Sequence, residues 1–507
     1  KGSRVVTLRS HAVIYNATAA SLEVSVTPTG WTSDFGEAEA YSLANSSYPS
    51  IRDLTRTVNL SGRRFEERVN TDGLNVLPHL IFVVEPFGSF PLPVLYCQQS
   101  VIRFRPPQED SSDTFYQWSD IAFDTSRLPR KKDRHFITKC KPADPDALMG
   151  HLTGTSSNLS SSMFDSSTFL YGVRMSPGVP DTKSCTVVVA PPLLIENLLP
   201  CTLEYSLICK RSGQTTVEGE IERGMERPVH FLGGSDQSTL SFKLAGFVSR
   251  AVVEVGTSLS TETLELLDDQ KRVLVLRLEF SSSDNVRKVL VYCKYWFINK
   301  TGLRLLYKQM YLGYIAAGQS KWEREVCKLA DNPADWYDDS RTEKSQEKPF
   351  LFDYVPKIDI RESRVSVKIA DSTWSKGIVL GGEGSSGIIE ISDSFQPGKP
   401  TRYFELVAYI ERGRTKYWRT KVVVFAPRYV VVNQTESNIT FAQAPHDGKG
   451  QAYELQPQAQ LPFHWPNLNG ISRVQVKQSQ NDWLWSGYFP IDNIGSFTFK
   501  MRNKDAT

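Results

Sequence analysis

Nucleophiles, bases and metal ligands are the residues from which an active site is built, and in this chain they stand apart. The seven histidines, His11, His79, His135, His151, His230, His446 and His464, occur singly, and none shares a zinc-ligand spacing with another histidine, a cysteine or a carboxylate. Cysteines at 97, 140, 185, 201, 209, 293 and 327 form no Cys-x-x-Cys pair, and an odd number in so long a chain argues for reduced thiols rather than a disulfide framework. No Gly-x-Ser-x-Gly elbow is present. The glycines of Val379-Leu380-Gly381-Gly382-Glu383-Gly384 read as a hairpin turn, because no helical pattern follows to receive a phosphate. Asp268-Asp269, and Asp338-Asp339 near Arg341, fall in polar loops without the spacing that converges oxygens on calcium. Trp483 and Trp485 alternate with polar residues and read as core rather than as a stacking platform. The basic run Arg130-Lys131-Lys132-Asp133-Arg134 reads as a solvated loop, with acidic headgroups as its alternative partner. No catalytic centre, cofactor or metal site is expected.

What recurs instead is an amide. Asn16, Asn197, Asn299 and Asn433 each end a short apolar run, with Ile14, Ile195, Phe297 and Val431 two residues before and Leu22, Leu203, Leu305 and Ile439 six residues after. In a strand of period two, the residue two before the asparagine shares its face. Three of the four read Asn-x-Thr, with Thr18, Thr301 and Thr435, while Leu199 breaks the pattern after Asn197. Such a tripeptide is a glycosylation acceptor in a secreted protein, or a strand-ending asparagine bonded to its own backbone.

The elements that must position these amides are strands. Val5-Val6-Thr7-Leu8, Leu22–Val26 and Leu80–Val84 alternate or are β-branched, and turns rich in Gly, Pro and Asn separate such runs along the chain. Two further landmarks follow the asparagines in fixed order. The first is a turn six residues ahead of a proline or tryptophan, at Glu85 to Pro91, Glu222 to Pro228, Ala316 to Trp322 and Gln456 to Pro462. The second is Trp-Ser, at 118–119, 374–375 and 485–486, absent from the second unit. Helix is entertained only near Leu264-Glu265-Leu266-Leu267 and over 321–330. Residues 31–75 and about 124–168 read as surface insertions in the first unit.

A length of 507 residues suggests about three or four domains, in keeping with the repeat. The expected fold is all-β, a tandem array of β-sandwich modules with loop insertions: 1–190, 191–292, 293–426 and 427–507, the second and fourth entered through Pro191-Pro192 and Pro427. With 59 basic and 56 acidic residues, no general attraction to nucleic acid follows. No window holds a signal peptide or 18 uncharged apolar residues, and the first and last residues are expected to be cuts in a longer protein.

Leu193–Pro200, Tyr295–Leu303 and Arg428–Thr435, with the Trp-Ser strands, resemble the adaptor-binding region of the vacuolar protein sorting 13 family across essentially the whole chain. The resemblance implies a bridge-like lipid transporter of membrane contact sites, of which this region carries no lipid. It implies six β-sandwich modules that receive organelle-specific adaptors through short Pro-x-Pro motifs, in a cytoplasmic protein that reaches membranes indirectly. Asn16, Asn197, Asn299 and Asn433 would be the family's module asparagines, either binding adaptors or organising each module. Only four modules are counted, and in the family the Pro-x-Pro site is associated mainly with the fifth and sixth. Leu199 and the missing Trp-Ser make Asn197 the weakest match. The alternative is a surface adhesion array, motivated by Asn-x-Ser/Thr at 16, 45, 59, 158, 299, 433 and 438.

Overall fold

A computed structural model describes residues 10–28, 64–65, 80–97, 100–107, 116–127, 132–142, 168–177, 184–209, 215–230, 238–254, 260–283, 286–319, 349–355, 364–369, 372–393, 401–446, 451–480 and 482–503. Among them the only helices are single 3-10 turns such as Val94–Cys97 and Thr415–Tyr417, so the fold is all-β. No helix among the described residues is long and apolar enough to cross a membrane.

The alternation seen in the sequence becomes two facing sheets because every second side chain needs a dry surface. In the first pair, one sheet runs Ser89–Pro91, Ala12–Asn16, Cys185–Ala190, Phe169–Pro177, Arg134–Cys140. The facing sheet runs Arg64–Phe65, Leu80–Val84, Leu22–Pro28, Ser100–Arg105, Phe123–Asp124. Ile14, Val24, Phe82, Phe104 and Val187 meet between them, and burial of each such side chain stabilises the fold by roughly 1.5–3 kcal/mol. The same arrangement recurs around Phe297, Val367 and Phe425 and, with fewer strands, around Phe441 and Phe463. Around Ile195 and Leu240 the two layers are one continuous ten-stranded sheet, joined through Phe247–Ser249.

The first three asparagine-bearing strands each sit between two partners. In all four units an antiparallel return strand lies on one side: Ser89–Pro91, Glu226–Val229, Phe350–Phe352 or Gln460–Phe463. On the other side the first three take a parallel strand that closes the unit, with Asn16 opposite Val189, Asn197 opposite Val291 and Asn299 opposite Phe425. Among the described residues Tyr429–Val432 pairs only with its return strand.

Four expectations change. Leu264–Leu267 belongs to the strand Thr261–Leu267, with Leu264 and Leu266 turned to the core; four apolar residues are too few to separate a period of two from one of 3.6. Arg134–Cys140, placed in an insertion, is a regular strand paired with Phe169–Pro177. The Gly381–Gly384 stretch is no hairpin, since Ile378–Val379 and Ser386–Ser392 lie in different sheets. In the third unit the return strand is Phe350–Phe352, with Leu351 opposite Trp296 where the others have Pro91, Pro228 and Pro462. Trp322, residues 321–330 and most of 31–75 lie outside the described residues.

Successive units meet at one recurring place, the residue after the return strand. His230 Nδ1 donates to the Leu170 carbonyl at 3.0 Å, Leu170 N–H donates to the His230 carbonyl at 2.9 Å, and the imidazole stacks on Phe169 at 4.2 Å. At the next joint Arg277 Nε donates to Asp353 Oδ2 at 2.7 Å. At the third, Tyr403 and Trp465 exchange backbone bonds of 2.9 and 3.0 Å beside His464, whose ring lies 5.2 Å from Phe404 and whose nitrogens have no partner among the described residues.

Burial pushes His230 down to about 4, against a weaker opposing pull from the Leu170 carbonyl, and pushes His464 down to about 3. Both lie below the ordinary 6.5, so their contribution is complete above pH 6.5 and is lost as pH falls towards those values. Amide exchange at Leu170 and Tyr403, corrected for its intrinsic pH dependence, should therefore accelerate by on the order of tenfold or more between pH 7 and pH 5. In His230→Phe the acceleration at Leu170 should vanish, and a pH response that persists there would rule the imidazole out.

Candidate functional site

An asparagine at the end of a strand can satisfy groups that the turning chain leaves unpaired, because its carboxamide offers two donors and an acceptor. Asn16 Oδ1 accepts from Thr18 N–H at 3.0 Å and from the Thr18 hydroxyl at 2.7 Å. Its Nδ2 donates to the Ala20 carbonyl at 2.8 Å, Val84 at 2.9 Å and Glu85 at 3.1 Å. Ala20 lies where the chain leaves the first sheet for the second, and Val84 and Glu85 lie where it returns. One buried side chain therefore pins both crossings.

Asn197 repeats this geometry on Cys201 (2.9 Å), Ile221 (2.8 Å) and Glu222 (3.2 Å), and Asn433 on Ser437 (2.8 Å) and Leu455 (2.9 Å). Leu199 N–H still reaches Asn197 Oδ1 at 2.9 Å without a threonine hydroxyl. Asn16 and Asn197 are fully buried and Asn433 is 1% exposed, so these amide nitrogens have no room for a glycan.

Asn299 is the one that departs. It is half-buried, and among the described residues its Nδ2 bonds the Leu303 carbonyl alone, at 2.6 Å. The glycine turn that follows is held by other groups. Gly318 N–H donates to Asp268 Oδ2 of the preceding unit at 2.9 Å, and Gln319 Nε2 donates to the Tyr307 and Ala316 carbonyls at 3.0 and 3.2 Å. Asp268, also bonded by Arg272 Nε at 2.9 Å, keeps its carboxyl below the usual range despite burial, through those backbone and guanidinium donors. Sequence reasoning left Asp268 in a polar loop and did not mark Gln319, whereas Asp268 is buried and reaches Gly318, 50 residues further on.

Trp-Ser serves a second, unforeseen purpose. Ser119 Oγ accepts from Phe104 N–H at 3.1 Å while Ser119 N–H donates to the Phe104 carbonyl at 2.8 Å. Ser375 on Val367 (2.9 and 2.8 Å) and Ser486 on Val476 (3.0 and 2.8 Å) repeat the clip. The preceding indole lies under a neighbouring cation: Arg105 at 4.1 Å from Trp118, Lys308 at 4.5 Å from Trp374, Lys477 at 5.3 Å from Trp485. In the second unit the strand Ser238–Leu244 is instead covered by Phe247–Ser249 and Val253–Glu254. Backbone pairing there replaces the serine.

The four asparagines lie one per core and are not brought together. Among the described residues no three His, Cys, Asp or Glu side chains converge as metal ligands. Asn16→Ala, Asn197→Ala and Asn433→Ala should each destabilise by roughly 2–4 kcal/mol, because buried carbonyls and an N–H lose their partner. Asn299→Ala should cost only about 1 kcal/mol. Denaturant melts that rank Asn299 with the other three would contradict this reading.

Residues 50–507 match the sequence family described as vacuolar-sorting associated protein 13, adaptor binding domain. The chain is 27% identical over 334 residues to the intermembrane lipid transfer protein VPS13D of Homo sapiens, covering 63% of this chain and 7% of that protein. It is 27% identical over 363 residues to the intermembrane lipid transfer protein tipC of Dictyostelium discoideum, covering 62% and 9%. It is also 27% identical over 326 residues to the intermembrane lipid transfer protein VPS13 of Chaetomium thermophilum, covering 61% and 9%. The matched stretch spans less than a tenth of each relative. Recurring amides on an all-β frame and a family match over nine-tenths of the sequence lead to one conclusion: the chain belongs to the vacuolar-sorting associated protein 13 adaptor-binding-domain family.

Proposed function

We propose that this chain is a non-catalytic platform that binds adaptor proteins and so directs a longer intermembrane lipid transfer protein to its membranes at contact sites. The observation that carries the reading is the match of residues 50–507 to the adaptor-binding family. On this reading the protein is cytoplasmic and peripheral, reaching membranes through organelle-specific adaptors. The platform comprises four modules, 1–190, 191–292, 293–426 and 427–507, and each of the four core clusters draws most of its residues from one of them.

The asparagines act as module organisers rather than as ligands for the adaptor. In Asn16, Asn197 and Asn433 the amide groups are already spent on the chain's own backbone, leaving little with which to hold a peptide. A short Pro-x-Pro segment of the adaptor binds instead by lying along an open strand edge. Ser386–Ser392 offers such an edge: among the described residues it is the outermost strand of its sheet, and its Ile388 is 50% exposed. Proline suits an edge partner because it lacks one backbone donor on the side facing solvent.

Titrating the chain with Pro-x-Pro peptides should give dissociation constants in roughly the micromolar range, and alanine in place of both prolines should abolish binding. A well-folded chain that binds neither peptide would remove the Pro-x-Pro part of the proposal. Adaptor binding lost in Asn197→Ala with an unchanged melt would instead make that asparagine a direct contact.

A further inference from the structure

The turn between the antiparallel strands Tyr403–Arg412 and Lys421–Pro427 is strongly basic. From 411 to 421 it reads Glu-Arg-Gly-Arg-Thr-Lys-Tyr-Trp-Arg-Thr-Lys, five basic residues against one acidic. One group of its side chains fastens it to the preceding unit. Tyr417 packs on the second core with its ring 5.1 Å from Trp296, Lys416 Nζ donates to the Gly224 carbonyl, and Arg419 makes paired bonds of 2.5 and 2.6 Å to Glu279. Thr420 Oγ1 donates to the Cys293 carbonyl at 2.8 Å.

So anchored, the turn holds its remaining side chains outward. Trp418 is 48% exposed, with Arg419 Cζ at 4.3 Å and Arg412 Cζ at 5.2 Å from its ring. Arg412 is half-exposed; its Nε donates to the Trp418 carbonyl at 3.2 Å and lies 3.5 Å from Glu383 Oε1. Arg414 is exposed and makes no ion pair among the described residues. At the tip Thr415 has φ +54°, a left-handed conformation that a β-branched residue adopts only under constraint. An indole kept partly in water beside guanidinium groups is unfavourable for a core and suited to a membrane interface, where the ring lies at headgroup depth and the cations meet phosphate.

We infer that this basic-aromatic hairpin, centred on Arg412, Arg414 and Trp418, is a direct contact with the surface of an anionic bilayer. A peptide is the poorer fit. The backbone of the turn is spent internally, through Gly413 N–H to the Thr420 carbonyl, Thr420 N–H to Tyr417 and Tyr417 N–H to Arg414, and both flanking strands are paired, so no edge is free to take an added strand. The contact stands apart from adaptor recruitment: it would orient a platform that adaptors have already delivered.

Vesicle flotation of the full 507-residue chain tests this, comparing phosphatidylcholine vesicles with vesicles holding roughly one-fifth phosphatidylserine. Binding should require the anionic lipid and weaken with salt. Arg412→Ser and Arg414→Ser should each reduce partitioning about fivefold, the equivalent of about 1 kcal/mol per cation near the surface, and Trp418→Ala should reduce it further. The arginine variants alter exposed side chains, and an unchanged melt verifies their fold, so the result does not depend on the tryptophan variant folding. Equal binding to both vesicles, full binding by Arg412→Ser/Arg414→Ser, or binding lost only on neutralising Arg130, Lys131, Lys132 and Arg134 would each overturn the assignment. Pro-x-Pro peptide affinity should be the same in these variants, so the two proposals fail separately.

Discussion

A carboxamide sealed between two sheets is the interaction on which the rest depends. A β-sandwich must pass its chain from one sheet to the other, and each passage leaves backbone carbonyls that belong to neither ladder. Asn16 draws the outward passage at Ala20 and the return passage at Val84 and Glu85 onto one nitrogen. Aspartate has no donor for these carbonyls, and glutamine would have to fit an extra methylene into a fully buried site. The following residue continues the anchoring, since Ala17, Leu198 and Lys300 donate to Val189, Val291 and Phe425 of the strand that closes the unit. In the first two of these units the start, the middle and the end are thereby fixed around one residue.

The units are joined by variations on a single contact. His230, Asp353 and His464 occupy the same place after the return strand, but with different chemistry: a hydrogen-bonded imidazole, a carboxylate paired with Arg277, and an imidazole without a partner among the described residues. The middle joint also holds the bonds Asp268 to Gly318 and Arg419 to Glu279, and Trp296 enters the second core. The departure of Asn299 belongs with this. In this unit the Gly318 amide is held from the unit before, by Asp268.

Much of this was legible in advance. The all-β class followed from the alternation of Leu22–Val26 and Leu80–Val84, and the repeat from four asparagines with equivalent apolar flanks. The bonding of the asparagine to its own backbone, one of the readings of Asn-x-Thr, is seen at Thr18 and Thr435. Trp-Ser was visible as a landmark but not as a clip, because the clipped residues Phe104, Val367 and Val476 carry no distinguishing type; the bond is to their backbone. Leu264–Leu267 and the placing of Arg134–Cys140 failed for a related reason, since short windows do not say which strand lies alongside.

The sequence by itself determined which residues face inward, where the chain turns, and that one amide recurs in each unit, because hydrophobic period and turn chemistry are local properties. Only the tertiary structure decided what each amide reaches. Val84 is 68 residues from Asn16 and Ile221 is 24 from Asn197, distances set by insertions that have no effect on the geometry of the bond. Tertiary structure likewise decided that Asn197, with its leucine neighbour, makes the full set of bonds that Asn16 makes to carbonyls at both crossings. The complement of an asparagine here is a set of backbone carbonyls, and backbone carbonyls are the same at every position of a sequence until folding selects among them.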